Sequence, residues 1–166
     1  MNLPAFLMPA LFVMVAAAAP EQPGEPADFA FRYEFKPCQT ITLNTYTNTF
    51  TRLDNEPLIT IPLKLSPQQM TAVHQEILNI RFFDYATDFK RVVPGPRGEV
   101  SMKTPSTSYR LEVRSEGMIH TVTYDDCCGP RSEEATRLLS LFNIINGFIN
   151  DDPVVKSLPT PRIACE

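Results

Sequence analysis

Chemistry-bearing motifs are what this chain has least of. It holds two histidines and six glycines in 166 residues, and none of the glycines forms a phosphate-cradling loop. No serine or cysteine sits in a nucleophile elbow. The adjacent Cys127 and Cys128 are CC rather than the C-x-x-C of a thioredoxin-like site. Positive charge is short as well: Lys and Arg number 15 against 19 Asp and Glu, for a formal −4 and a pI near 5.2. That balance argues against a nucleic-acid partner or an anionic-membrane surface. No cofactor is expected.

Charge is missing altogether from the first twenty residues, which form one apolar run ending in Ala16-Ala17-Ala18-Ala19-Pro20. The run is too short to span a bilayer comfortably, and its small-residue end reads as a secretory signal peptide over residues 1–18. Pro20 disfavours a cut after Ala19, so the expected cut follows Ala18, with Ala16 three residues before it. The chain meets a membrane only through this segment, if it stays uncleaved. Residues 19–27 are linker by composition, and 28–166 are long enough for a single domain with a sizeable core. The expected location is exported, periplasmic or secreted.

Export decides how the cysteines are read. Cys38, Cys127, Cys128 and Cys165 all lie beyond the leader, and an even number in an oxidising compartment predicts two disulfides. Joining Cys127 directly to Cys128 strains the peptide between them. One neighbour is therefore expected to bond Cys38 and the other Cys165, which stabilises the fold by about 2–4 kcal/mol per bridge.

From Asp28 the pattern changes. Phe29, Phe31, Tyr33 and Phe35 alternate with Ala30, Arg32, Glu34 and Lys36, the period of a half-buried strand. Residues 39–53 carry six threonines, which suits two strands, 40–46 and 48–53, around a turn at Thr47-Asn48. Ile59, Ile61, Leu63 and Leu65 alternate again, and Pro62 among them predicts an edge strand or a bulge. Ser66-Pro67-Gln68-Gln69 starts a helix with a capping box, and Met70, Val73, Ile77 and Ile80 give it one apolar face. His74 falls at the margin of that face and is expected to be exposed. Residues 84–106 have no period and read as a long loop.

The clearest signal is a hairpin ending in Asp125-Asp126-Cys127-Cys128. With Glu116-Gly117 as its turn, Val113 pairs with His120, Leu111 with Val122 and Tyr109 with Tyr124, all on one face. A second helix starts at Ser132, with Glu133 and Glu134 favourable to its dipole. Ala135, Leu138, Leu139, Phe142, Ile145 and Ile149 form its stripe, and Asp152-Pro153 ends it before an extended tail. The expected fold is α+β, a two-layer sandwich of about four to five antiparallel strands with two helices on one face.

Some of these pieces resemble a family of small exported, lipoprotein-like bacterial proteins of unknown function. The likeness lies in Leu43 to Thr51, in Leu65 to Met70 with its continuation Ile80 to Tyr85, in Val122 to Asp126 and in Leu158 to Arg162. It implies the compartment and the fold and brings no catalytic residues. The cysteines depart from the family pattern.

Each candidate site has a plainer explanation beside it. Cys127, Cys128 and His120 include metal-ligating types, but the CC spacing favours disulfides, and His120 falls on the predicted core face. Asp125 and Asp126 are strand neighbours that point to opposite faces, so they do not share one substrate. An ion pair between Arg162 and these acids would be a packing feature. The expected function is a non-enzymatic binding or structural domain of the cell envelope or extracellular space. Its partner would be a protein or envelope component, met through the sheet or the long loop. The alternatives are a metal- or thiol-dependent protein using Cys127, Cys128 and His120, and a hydrolase with an unrecognised site.

Overall fold

A computed structural model describes residues 26–36, 40–53, 58–89, 96–98, 106–127 and 132–160. The aromatic strand β1 (Ala30–Lys36) sits inside the sheet, between a strand that follows it directly and one from the second half of the chain. On one side it pairs with β2 (Thr40–Asn44), which pairs with β3 (Thr49–Leu53) and then β4 (Leu58–Pro62). On the other side it pairs with β5 (Ser108–Ser115), which pairs with β6 (Met118–Asp125). Every pairing is antiparallel, in the order β4-β3-β2-β1-β5-β6.

Among the described residues the sheet thus has six strands rather than four or five. The threonine run supplies two of them, and the Pro62 segment joins fully as an edge strand. Pro62 is tolerated there because its missing N–H falls on the side away from β3.

Helix α1 (Pro67–Asn79) begins as its residues dictate. The Ser66 hydroxyl accepts from the Gln69 backbone N–H at 3.2 Å, and the Gln69 side chain accepts from the Ser66 N–H at 2.8 Å. It ends at Ile80, followed by Arg81 at φ 57° and a 3-10 turn over Phe82–Asp84. Helix α2 (Glu133–Asp151) is capped by the Ser132 hydroxyl, which accepts from the Ala135 N–H at 3.1 Å. Asp152 ends α2 as expected and also caps a short helix α3 (Pro153–Lys156), a third helix where two were expected. A proline at the first helical position after a capping aspartate starts a helix as readily as it stops one. No helix among the described residues is long and apolar enough to cross a membrane.

The hairpin register is the predicted one throughout. Glu116 and Gly117 both take positive φ, 53° and 76°, as a type I′ turn demands. Core-facing strand residues Phe31, Tyr33, Leu43, Phe50, Leu111, Val113 and Val122 join Val73 and Ile77 of α1 and Leu138, Phe142 and Ile145 of α2 in one buried cluster. Phe142 stacks on Tyr109 at 4.8 Å and meets Tyr33 at 5.6 Å, which ties α2 to β5 and β1. Phe142→Ala is expected to cost about 3–5 kcal/mol. Ser66→Ala is expected to cost about 1 kcal/mol. Urea unfolding of the two variants checks that ratio.

Candidate functional site

The strand registers place the outward side chains in rows across the sheet. One row runs Thr60, Thr51, Thr42, Glu34, Arg110, Thr123; the next runs Pro62, Thr49, Asn44, Arg32, Glu112, Thr121. This face is polar, and Glu34, Lys36, Ser108, Arg110 and Thr123 line a pocket of about 240 Å³ on it. Its middle is charged, with Glu34 holding Arg32 at 2.9 Å and Lys36 at 3.6 Å, and Arg110 exposed beside them. Near the hairpin turn the Arg114 guanidinium lies 4.9 Å over the Tyr46 ring. Burial and the nearby Glu112 carboxylate push the Tyr46 phenol above its ordinary range. Apolar corners frame the face: Leu53 and Leu58, cross-strand partners at one edge, and Ile119 near the opposite one.

On the helical side a groove of about 450 Å³ lies between the end of α1, the 3-10 turn and the start of α2. Its polar groups are engaged with one another. Arg81 pairs with Asp84 at 2.7 Å and Arg137 pairs with Glu133, while the Tyr85 hydroxyl donates to the Glu134 carbonyl at 3.0 Å. Burial pushes the Tyr85 phenol up, away from any role as a base near neutrality. The groove presents no coherent nucleophile–base pair.

The residues singled out in the sequence end up apart. His120 is the third residue of β6, near the turn, whereas Cys127 lies two residues beyond the far end of that strand. The intervening strand separates them by roughly 16 Å or more at about 3.3 Å per residue. His120 is a packing residue: its Nε2–H donates to the Tyr85 carbonyl at 2.8 Å, and its ring stands edge-on to Phe82 at 5.6 Å. Asp125 lies opposite Ser108, and the Asp126 N–H donates to the Thr107 carbonyl at 2.9 Å. No cysteine among the described residues is free, and no three His, Cys, Asp or Glu side chains there converge to hold a metal ion. Cys38, Cys128, Cys165 and Arg162 lie outside the described residues.

His74 corrects the sequence reading. It is buried, 4 % exposed, with its ring edge-on to Phe29 at 4.8 Å. Position 74 lies four residues after Met70 and three before Ile77, so it belongs to the same helical stripe, and Phe29 just before β1 covers it. The start of the expected long loop is also packed. Thr123 and the segment 87–89 exchange backbone bonds: the Phe89 N–H donates to the Thr123 carbonyl at 2.9 Å, and the Thr123 N–H to the Thr87 carbonyl at 2.8 Å. The Phe89 ring rests 5.9 Å from Tyr124. Alternating Tyr85 and Phe89 with small or polar residues carried that signal only faintly.

Asp28 is the site residue that pattern-reading passed over, since it stood as a strand boundary. Its carboxylate accepts from the Gly117 N–H at 2.8 Å and the Glu116 N–H at 3.0 Å, while Arg114 Nε donates to its carbonyl at 3.1 Å. The bond from Gly117 leads in holding the Asp28 carboxyl below its ordinary 3.8. Because the folded-state value is depressed, the stabilisation is complete above pH 3.8 and fades as pH falls through the folded-state value. Asp28→Asn is therefore expected to lower the urea midpoint at neutral pH, and the gap from wild type to narrow in acid. Urea titrations across that range check the sign. Comparison with protein-family models and with curated proteins finds no match for this chain, so its functional reading rests on the geometry above.

Proposed function

We propose that this chain is an exported, non-enzymatic binding domain whose outer sheet face docks a protein or envelope component. The observation that carries the reading is the ordered polar face itself. Its rows hold threonine hydroxyls on one half and an Arg32–Glu34–Lys36 charge line beside Arg110 at the centre. The core cluster, which takes the stripes of α1 and α2 together with one sheet face only, supports a two-layer sandwich with both helices on the face opposite this surface. Glu34, Lys36, Ser108, Arg110 and Thr123 line a pocket of about 240 Å³ at the centre of this face, and the rows of hydroxyls and charges around it run across the sheet, which suits an extended polar partner surface.

The charge-free apolar leader supports export. In that compartment the Asp-Asp-Cys-Cys end acts as a clasp, with Cys127 and Cys128 taking Cys38 and Cys165 and tying both ends of the domain to β6. Intact-mass analysis without reductant is expected to show two disulfides and no metal. A bound metal would instead favour the thiol or metal alternative.

The docking reading is tested by cosedimentation of the purified chain with cell-envelope material of its own source. The double variant Arg32→Glu with Arg110→Glu is expected to bind roughly tenfold more weakly, a loss of about 1.4 kcal/mol. Arg137→Glu on the helical side is expected to bind as wild type. Equal binding by all three, or saturable enzymatic turnover by the wild-type chain, overturns the reading.

A further inference from the structure

The pocket on the outer face is built by three adjacent strands whose registers bring its walls together. β1 supplies Glu34 and Lys36, β5 supplies Ser108 and Arg110, and β6 supplies Thr123. Glu34 lies opposite Arg110, Lys36 opposite Ser108, and Arg110 opposite Thr123. All five side chains leave the same side of the sheet, because directly opposed partners share a face and so do alternate residues along a strand.

Glu34 is the one carboxylate in this wall, its side chain 12 % exposed, and each of its oxygens has a cation: Arg32 at 2.9 Å and Lys36 at 3.6 Å. The Lys36 ammonium keeps further N–H groups to give. The Arg110 guanidinium is exposed and, among the described residues, enters no ion pair and no hydrogen bond. The Ser108 and Thr123 hydroxyls are likewise uncommitted there. The pocket therefore surrounds its space with donors and has already neutralised its own acid.

Charge around it limits what an occupant can carry. With Arg32 counted, three cations at the wall stand against Glu34 alone. Just outside lie Glu112 opposite Arg32, Asp125 opposite Ser108, and Asp88 bridged to Thr123. Attraction to the wall grows in proportion to the occupant's charge, whereas the cost of taking that charge out of water grows as its square. The outer acids repel a double charge twice as strongly. A single negative charge is thus the better match, and the Arg110 fork fits the two oxygens of a carboxylate.

We propose that the pocket takes a carboxylate side chain presented by a protein partner, an inference that rests on the reading of the outer face as a docking surface. Arg110 holds the carboxylate through its fork, Ser108 and Thr123 donate from β5 and β6, and Lys36 divides its charge between the guest and Glu34. Thr42, Thr51 and Thr60, which continue the row beyond Glu34, meet the partner's surface around that anchor.

Amide and arginine side-chain NMR of the intact chain, titrated with sodium acetate against sodium chloride at equal ionic strength, tests the pocket. Saturable shifts at Ser108, Arg110 and Thr123 are expected with acetate. Acetamide, its uncharged analogue, is expected to give none, and inorganic phosphate to bind more weakly than acetate. Arg110→Gln is expected to weaken acetate binding roughly tenfold, and Arg137→Gln on the helical side to leave it unchanged. Cosedimentation with envelope material tests the partner. Converting the carboxylates of that material to amides, or digesting its proteins, is expected to cut binding roughly tenfold.

Acetate shifts that never saturate, or that spread evenly over the exposed arginines, overturn the proposal, as does tighter binding of phosphate. Full binding to amidated material overturns it too, and full binding to protease-digested material overturns the protein guest. The two readings fail separately. An acetate site in a chain that binds no envelope material overturns the docking surface and leaves a carboxylate pocket, whereas envelope binding without an acetate site overturns the pocket alone.

Discussion

Burial of the aromatic side of β1 is the constraint on which the other elements depend. Phe31 and Tyr33 are fully buried, and every other layer of the core reaches them. Leu43 lies opposite Tyr33 from β2, Leu111 from β5, and Phe142 meets it from α2. Because side chains alternate along a strand, fixing that face inward forces Arg32, Glu34 and Lys36 outward. The polar rows of the outer face are thus a by-product of the same periodicity that builds the core. Tyr33 carries a cost: burial drives its phenol far up, and the Asn146 amide stands near its hydroxyl without completing a hydrogen bond.

Asp28 and Arg52 perform a second kind of work, fastening ends rather than filling space. Asp28 holds the β5–β6 turn through two backbone N–H groups, and that turn needs holding because Glu116, which has a side chain, sits at positive φ. Arg52 is buried on the core side of β3 and donates to the carbonyl of Pro159, which pins the segment after α3 across the sheet. That bond makes Arg52 a structural fastener between β3 and the segment after α3, because a buried charge needs acceptors.

Where local rules act alone, the sequence was legible. The Ser66–Gln69 box, the Glu116-Gly117 turn and the β5–β6 register each need only neighbours a few residues apart or a strict period of two. The misreadings share a different cause. His74 is covered by Phe29, which is distant in sequence; residues 87–89 find β6 only after the chain has folded back; α3 depends on which of two roles Asp152-Pro153 takes. The threonine strands were legible as strands, but six-strand closure of the sheet depended on counting the proline-bearing β4 as a full member. The candidate site was readable in part. The charged side of β1 was visible as an alternation, while its alignment with Thr42, Thr51 and Thr60 emerges only from registers that span three turns.

The small bridge between residues 87–89 and Thr123 sets a limit on growth. A sheet open at both edges is bifunctional in the sense of step-growth polymers: each addition leaves a new reactive end, and the product is a fibre. The bridge occupies the outward peptide groups of Thr123, while Ile119 and Thr121 on the same edge have no such bond among the described residues, so the reactive end is shortened rather than removed. A shorter end offers fewer bonds to an incoming strand, and each bond withheld weakens the step by which a fibre would grow.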